Sequence, residues 1–212
     1  MKGKTVLEIG LGSGSNLGLE AKYAKKIYGI DISDETIELN QKRKEYYHLD
    51  NLELICESAT KLPLKDHSVD VVISIGCIHH IPDAEKVIKE ISRVLKPGGI
   101  FKGMVYYKNS YRCKYYIPRL RKTQKYWRGK TYQECINELY DGKGNPYAKV
   151  YSKIEIKTLL SDYKNVNLKI FNFAPWELAL SKTLFLIPRN FWLATIGRIV
   201  GTDLYFSARK KN

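Results

Sequence analysis

Two periods alternate between Thr5 and Val105. Short runs rich in branched aliphatic residues, Thr5–Ile9, Lys26–Ile32, Leu52–Cys56, Val69–Ile75 and Ile100–Val105, have the length and composition of strands. Between them, apolar residues recur at helical spacing. Leu17, Ala21 and Ala24 share one face of a helix that Ser13 or Ser15 can cap. Ser33 caps a second helix, whose first turn carries Asp34 and Glu35 against the positive helix end. Asp83 opens a third, with Val87, Ile88, Ile91, Val94 and Leu95 on one stripe. The stretch Lys96–Gly99, "KPGG", is expected to stop it. Alternating strand and helix predicts a parallel sheet with crossovers, and Val69–Ile75 reads as a strand buried on both faces.

The pattern changes after Val105. Residues 106–133 contain no acid but nine basic residues, seven tyrosines and Trp127. A Gly/Pro-rich loop follows at Asp141–Tyr147, then a helix over Ser152–Tyr163 and a strand over Val166–Phe173. Residues 174–200 read as an amphipathic helical insert, and Leu204–Ala208 as a last strand. The expected organisation is one structural domain in three parts. These are a ligand-binding half (1–105), a basic aromatic cap insert (106–150), and a C-terminal part of the sheet (151–212) that carries the 174–200 insert.

Charge sharpens this division. The net charge of +14 resides entirely in the second half: residues 1–105 carry 15 basic and 15 acidic groups, residues 106–212 carry 21 and 7. That asymmetry points to an anionic partner or surface for the second half. The 212 residues suffice for a sizeable core. The four cysteines are scattered, form no C-x-x-C pair, and read as reduced thiols in a cytoplasmic protein with no metal site. The start of the chain has no apolar signal core.

The chemistry begins at Val6–Asn16, "VLEIGLGSGSN". A strand that ends in a glycine-rich turn and opens a helix lets a ligand approach the backbone and offers it free N–H groups. The spacing is not that of a dinucleotide site, because Ser15 stands where a third glycine belongs. The lysine of a phosphate-binding loop is also absent. What remains is E-x-G-x-G-x-G, with Glu8 two residues before Gly10. A carboxylate there repels phosphate and suits a ligand with a positive charge.

With these residues the sequence resembles the class I S-adenosylmethionine (SAM)-dependent methyltransferases, within the broad small-molecule group that includes the quinone-biosynthesis C-methyltransferases. The resemblance covers residues 4–105 well and 150–210 loosely. Besides Glu8, Gly10, Gly12 and Gly14, it rests on "YGIDIS", "ESATKLP", "VDVVIS", "CIHHIPD" and "VLKPGGIF", in order and at familiar spacing. The resemblance implies a Rossmann-like α/β fold: a mostly parallel central sheet, an antiparallel last strand, and a helical cap insert after the fifth strand. It implies SAM as cofactor. Glu8 and the three glycines would cradle the methionine part. Asp31, with Ile32 beside it, would hold the ribose, and Ser58 and Ala59 the adenine. Ser58 stands where the family commonly has an aspartate, so Ser58 or Glu57 takes the adenine-amine contact. Ile75 would line the site at the end of the fourth strand.

The activity implied is in-line methyl transfer to a small-molecule or lipid-like acceptor. His80 is the candidate base, in competition with a capping or packing role for both His79 and His80. Tyr107, Tyr111 and Arg112 are the candidate acceptor contacts. An RNA methyltransferase using the basic 106–133 segment is an alternative, as is a non-catalytic relative that binds a partner. Methylases of exocyclic base amines carry Asn/Asp-Pro-Pro-aromatic where this chain reads "SIGCIHH", which argues against that class. The basic segment together with Phe185–Val200 also suggests peripheral membrane contact. The glycine strand begins at residue 5, without the helices that precede it in the resembled family. The expectation is an open site, or one covered by a dimer mate or partner chain, and weak SAM binding by this chain alone.

Overall fold

The computed structural model describes residues 2–173, 177 and 188–212. Its centre is an eight-stranded sheet in the order β3-β2-β1-β4-β5-β8-β7, with β6 (Val150–Tyr151) paired to the end of β5. β1 (Thr5–Ile9), β2 (Lys26–Asp31), β3 (Leu52–Cys56), β4 (Val69–Ile75) and β5 (Leu95–Tyr107) run parallel. β8 (Asp203–Lys210) lies antiparallel between β5 and β7 (Tyr163–Phe171). This is the expected Rossmann-like architecture with its antiparallel last strand.

One face of β1, β2 and β4 packs on α1 (Leu17–Tyr23) and α2 (Asp34–Tyr46) through Val6, Ile27, Val71 and Ile73. The other packs on α3 (Ala84–Val94) and on the later α7 (Lys153–Leu159) through Leu7, Ile9, Ile30 and Val72, joined by Phe101 of β5. Alternate residues of β4 belong to the two cores, so both of its faces are apolar, as its sequence required.

Ser33 and Asp83 cap α2 and α3 as read from the sequence, accepting the Thr36 and Lys86 amides at 3.2 and 3.0 Å. Ser152 and Glu155 form a capping box at α7. Neither Ser13 nor Ser15 caps α1; Asn16 occupies that position and makes no side-chain cap there. The glycine turn runs on to Asn16, so the helix starts later than its hydroxyls suggested. Lys96–Gly99 does not separate α3 from a strand. The pairing moves from Val69 with Leu95 to Val71 with Ile100, so "KPGG" is extra length bulged out of β5.

The segment after β5 folds into one wide turn (Arg112–Tyr116) and three short helices, α4 (Ile117–Thr123), α5 (Lys125–Arg128) and α6 (Tyr132–Asp141). Ile117, Cys135, Ile136 and Ala148 give this cap a small core of its own. Residues 174–176 and 178–187 of the 174–200 insert lie outside the described residues; the insert also contains α8 (Arg189–Ala194) and α9 (Gly197–Val200). Among the described residues, no helix is long and apolar enough to cross a membrane.

Candidate functional site

A cavity of about 750 Å³ opens at the C-terminal ends of β1, β2 and β4, where chain order reverses across the sheet. Glu8, Gly10, Gly12, Asp31, Ile32, Ser58, Ala59, Ile75 and His80 line it, together with Asn16, Gly76 and Cys77. Gly14 does not.

Two of the glycines explain the shape of the turn. Gly10 has φ +79°, and a Cβ there would sit 2.3 Å from the Cβ of Cys77. Gly14 has φ +69°, and a Cβ there would lie 1.8 Å from Oδ1 of Asn40 on α2. Gly10 thus lets β1 close against the loop after β4, while Gly14 lets α2 reach the turn from behind. Asn40 holds it there, donating to the Gly12 carbonyl at 3.0 Å. Gly12 faces open space, with nothing within 4 Å of where a Cβ would be.

Asp31 ends β2 and fastens the turn to it. Its Oδ2 accepts the Leu11 amide at 2.9 Å and its Oδ1 the Ser33 amide at 3.0 Å. Each oxygen can accept a further hydrogen bond, and Asp31 lines the cavity. Ser58 is engaged locally: its hydroxyl meets Thr60 Oγ1 at 2.8 Å, and its amide donates to Glu57 Oε1 at 2.8 Å. Glu57 is thereby turned onto its own loop.

Glu8 is 3% exposed, and its Oε2 has no hydrogen-bond partner. Burial, then the nearby charge of Glu20, push its carboxyl up to about 8, against a hydrogen bond from Asn16. Glu20, on the inward face of α1, is pushed up to about 7 by burial. Cys77 stays a thiol, its pKa pushed up to about 12 by burial and then by Asp31.

His79 and His80 sit on one helical turn, Ile78–His80, but point differently. His79 is fully buried against the Tyr106 ring, 3.9 Å between centroids. Burial, with His80 beside it, lowers its pKa to about 3, so it is a neutral packing group. His80 lines the cavity. Its Nδ1 lies 2.9 Å from the Tyr147 carbonyl, which fixes Nδ1 as the donor. Its Nε2 lies 3.6 Å from Oδ1 of Asp141. Asp141 also accepts the Tyr106 hydroxyl and, at 2.9 Å, Asn145 Nδ2. Asp141, Tyr106 and Tyr147 were not legible as neighbours of His80. They come from β5, from the last residue of α6 and from the loop after it, and no local spacing links them to His80.

The structure does not bring Tyr107, Tyr111 or Arg112 to this cavity. The Tyr107 side chain is buried in the main core. Tyr111 stacks on Tyr115 at 5.4 Å. Arg112 donates to Oε1 of Glu177 at 2.5 Å and lies 4.5 Å over the Tyr140 ring. Its charge is already neutralised, which removes the reason for assigning it to an anionic acceptor.

Residues 7–102 match the family model described as a methyltransferase domain. A probable S-adenosylmethionine-dependent methyltransferase of Mycolicibacterium smegmatis is 36% identical over 99 residues, 47% of this chain and 37% of that protein. A sterol 4-C-methyltransferase of Caenorhabditis elegans is 35% identical over 96 residues, 45% of this chain and 29% of that protein. The match thus spans about a third of the length of these curated relatives. Among solved structures, phosphoethanolamine N-methyltransferase 2 of Haemonchus contortus, in complex with phosphomonomethylethanolamine and S-adenosylhomocysteine, superposes with a TM-score of 0.66. It is 20% identical, and the match covers 100% of this chain and 50% of that one, which speaks for the fold.

Proposed function

We propose that residues 7–102, which match the family model described as a methyltransferase domain, bind SAM as a class I methyltransferase does, and that the protein transfers the SAM methyl group to a small-molecule acceptor at the cavity of β1, β2 and β4. The observation that carries this reading is the convergence in one cavity of a buried carboxylate, a bare glycine turn and a ribose-suited aspartate. The unpartnered Glu8 oxygen and the open space at Gly12 fit a ligand that is cationic and close to the backbone. When bound, SAM supplies a methyl group already activated by its sulfonium.

The chain's own contribution is placement. Glu8, Gly10 and Gly12 receive the methionine part, and Gly14 supports them by seating α2. Asp31, held by two amides, receives the ribose hydroxyls with Ile32 at the rim. Ser58 and Ala59 border the adenine, and Ile75 the floor. Positioning and exclusion of water supply most of the rate. His80 serves the acceptor side: with Nδ1 donating to Tyr147, Nε2 is the atom that takes a proton, and Asp141 faces the imidazolium that results. The sterol and phosphoethanolamine activities named for the relatives favour a small or lipid-like acceptor.

The test is incubation with methyl-labelled SAM and fractionated extract. Label in the small-molecule or lipid fraction is expected; label in RNA or protein overturns the acceptor class. His80→Asn is expected to lower kcat on the order of a hundredfold.

A further inference from the structure

Two buried carboxylates, Glu8 in the wall of the cavity and Glu20 on α1, have no cation paired with them among the described residues. Glu8 and Glu20 are 3% and 4% exposed, and each has an Oε2 with no partner. Glu8 lines the cavity; Glu20 stands behind it on α1. No Lys, Arg or His among the described residues forms an ion pair with either.

The surrounding elements offer no compensating charge. β2 and β4 place Gly29 and Ile73 beside Glu8. The turn gives the neutral amide of Asn16, and α2 gives that of Asn40. Cys77 is a neutral thiol, and the Asp31 oxygens are turned to the Leu11 and Ser33 amides. Two uncompensated negative charges in so little space are costly, and the inexpensive state is one shared proton.

We propose that Glu20 is a specificity-determining residue for the cofactor: it and Glu8 hold one proton between them in the empty cradle, which the sulfonium-bearing donor displaces and the thioether product leaves in place. This rests on the SAM reading of the cavity. Methyl transfer forms the acceptor–carbon bond with the acceptor's electron pair and breaks the carbon–sulfur bond, whose pair stays on a neutral sulfur, while the acceptor's proton passes to His80 Nε2 and on to solvent. The positive charge is then gone from the sulfur beside the carboxylate pair, which regains its proton from solvent. Donor and product differ in charge at the sulfur, and a pair poised to titrate converts that difference into a difference in affinity. The rise of Glu8 to about 8 and Glu20 to about 7 puts the exchange near neutral pH.

The empty protein and the binding reaction give separate readouts. Carboxyl-carbon NMR on 13C-glutamate protein is expected to show one or both of these carboxyls titrating between pH 6 and 9. Titration of both below pH 5 overturns the proposal. Calorimetry at pH 7 in buffers of different ionisation enthalpy is expected to show proton release with SAM and markedly less with S-adenosylhomocysteine. SAM affinity is expected to weaken toward a limit of about tenfold per pH unit as pH falls below the pair's range. Glu20→Gln is expected to move that bend to lower pH while SAM still binds. Equal proton release by both ligands overturns the proposal and leaves the methyltransferase reading intact. A folded protein that binds neither ligand overturns the methyltransferase reading, and the NMR titration then still decides whether the pair holds its proton.

Discussion

Glu8 in the first half and Arg112 in the second are both largely buried ionisable groups, yet their surroundings differ. Glu8 has an oxygen with no partner and a like-charged neighbour. Arg112 has Glu177 at 2.5 Å and the Tyr140 ring beneath it. The difference extends beyond these two. In the cap, Lys130 pairs with Glu138 and Tyr106 with Asp141, so the few acids of the basic half are spent on its own cohesion. At the cavity, the unpaired polar atoms are what a ligand would complete. The unpartnered Glu8 oxygen lies at the cavity, whereas the +14 of the second half directed attention to Arg112, which the structure places away from it.

The strongest way to break this contrast is to unpair the cap. Arg112→Ala removes the guanidinium that meets the buried Glu177 carboxylate, with Arg119 left as the nearby cation, and is expected to cost about 3 kcal/mol in denaturant unfolding. The double replacement R112M/E177L is expected to recover most of that loss. If Arg112→Ala costs less than about 1 kcal/mol, the pair is not structural. Next in size is the opposite manipulation. Asp31→Asn is expected to weaken SAM binding by about 2–3 kcal/mol, on the order of a hundredfold in Kd by calorimetry.

Glu8→Gln sharpens the comparison through pH. A carboxyl whose folded-state pKa lies above its unfolded value binds more protons when folded. Its contribution to stability is therefore favourable below pH 4.5 and is lost as pH rises toward about 8. Relative to the natural protein, Glu8→Gln is expected to gain stability progressively over that window in thermal melts without ligand; a constant difference would refute the shared proton. The smallest effect belongs to the exposed cations. Lys122→Glu and Lys125→Glu are each expected to change stability by less than about 0.5 kcal/mol. If either abolishes salt-dependent binding to tRNA or anionic vesicles, the basic surface has an anionic partner after all.

Legibility in the sequence followed the range of the interactions. β1 to β4, the Ser33 and Asp83 caps and the glycine turn are set by neighbours within a few residues, and the pattern disclosed them. The bulge at Lys96–Gly99 was hidden because Pro and two glycines look alike whether they stop a helix or swell a strand. The α1 cap failed for a similar reason: several residues near the turn can cap, and the turn's length decides. The surroundings of His80 were out of reach, since Tyr147 and Asp141 are more than sixty positions away and one of them acts through its carbonyl. The partner of Arg112 was equally out of reach, since Glu177 lies 65 residues further on.

The bond between His80 and the Tyr147 carbonyl has one more implication. A backbone oxygen is present whatever side chain stands at that position. Substitution of the Tyr147 side chain can therefore change the surface beside His80 while the imidazole keeps its Nδ1 contact. Descendants of this chain have a route to new acceptors in which the reactive geometry is inherited and only the surface around it drifts.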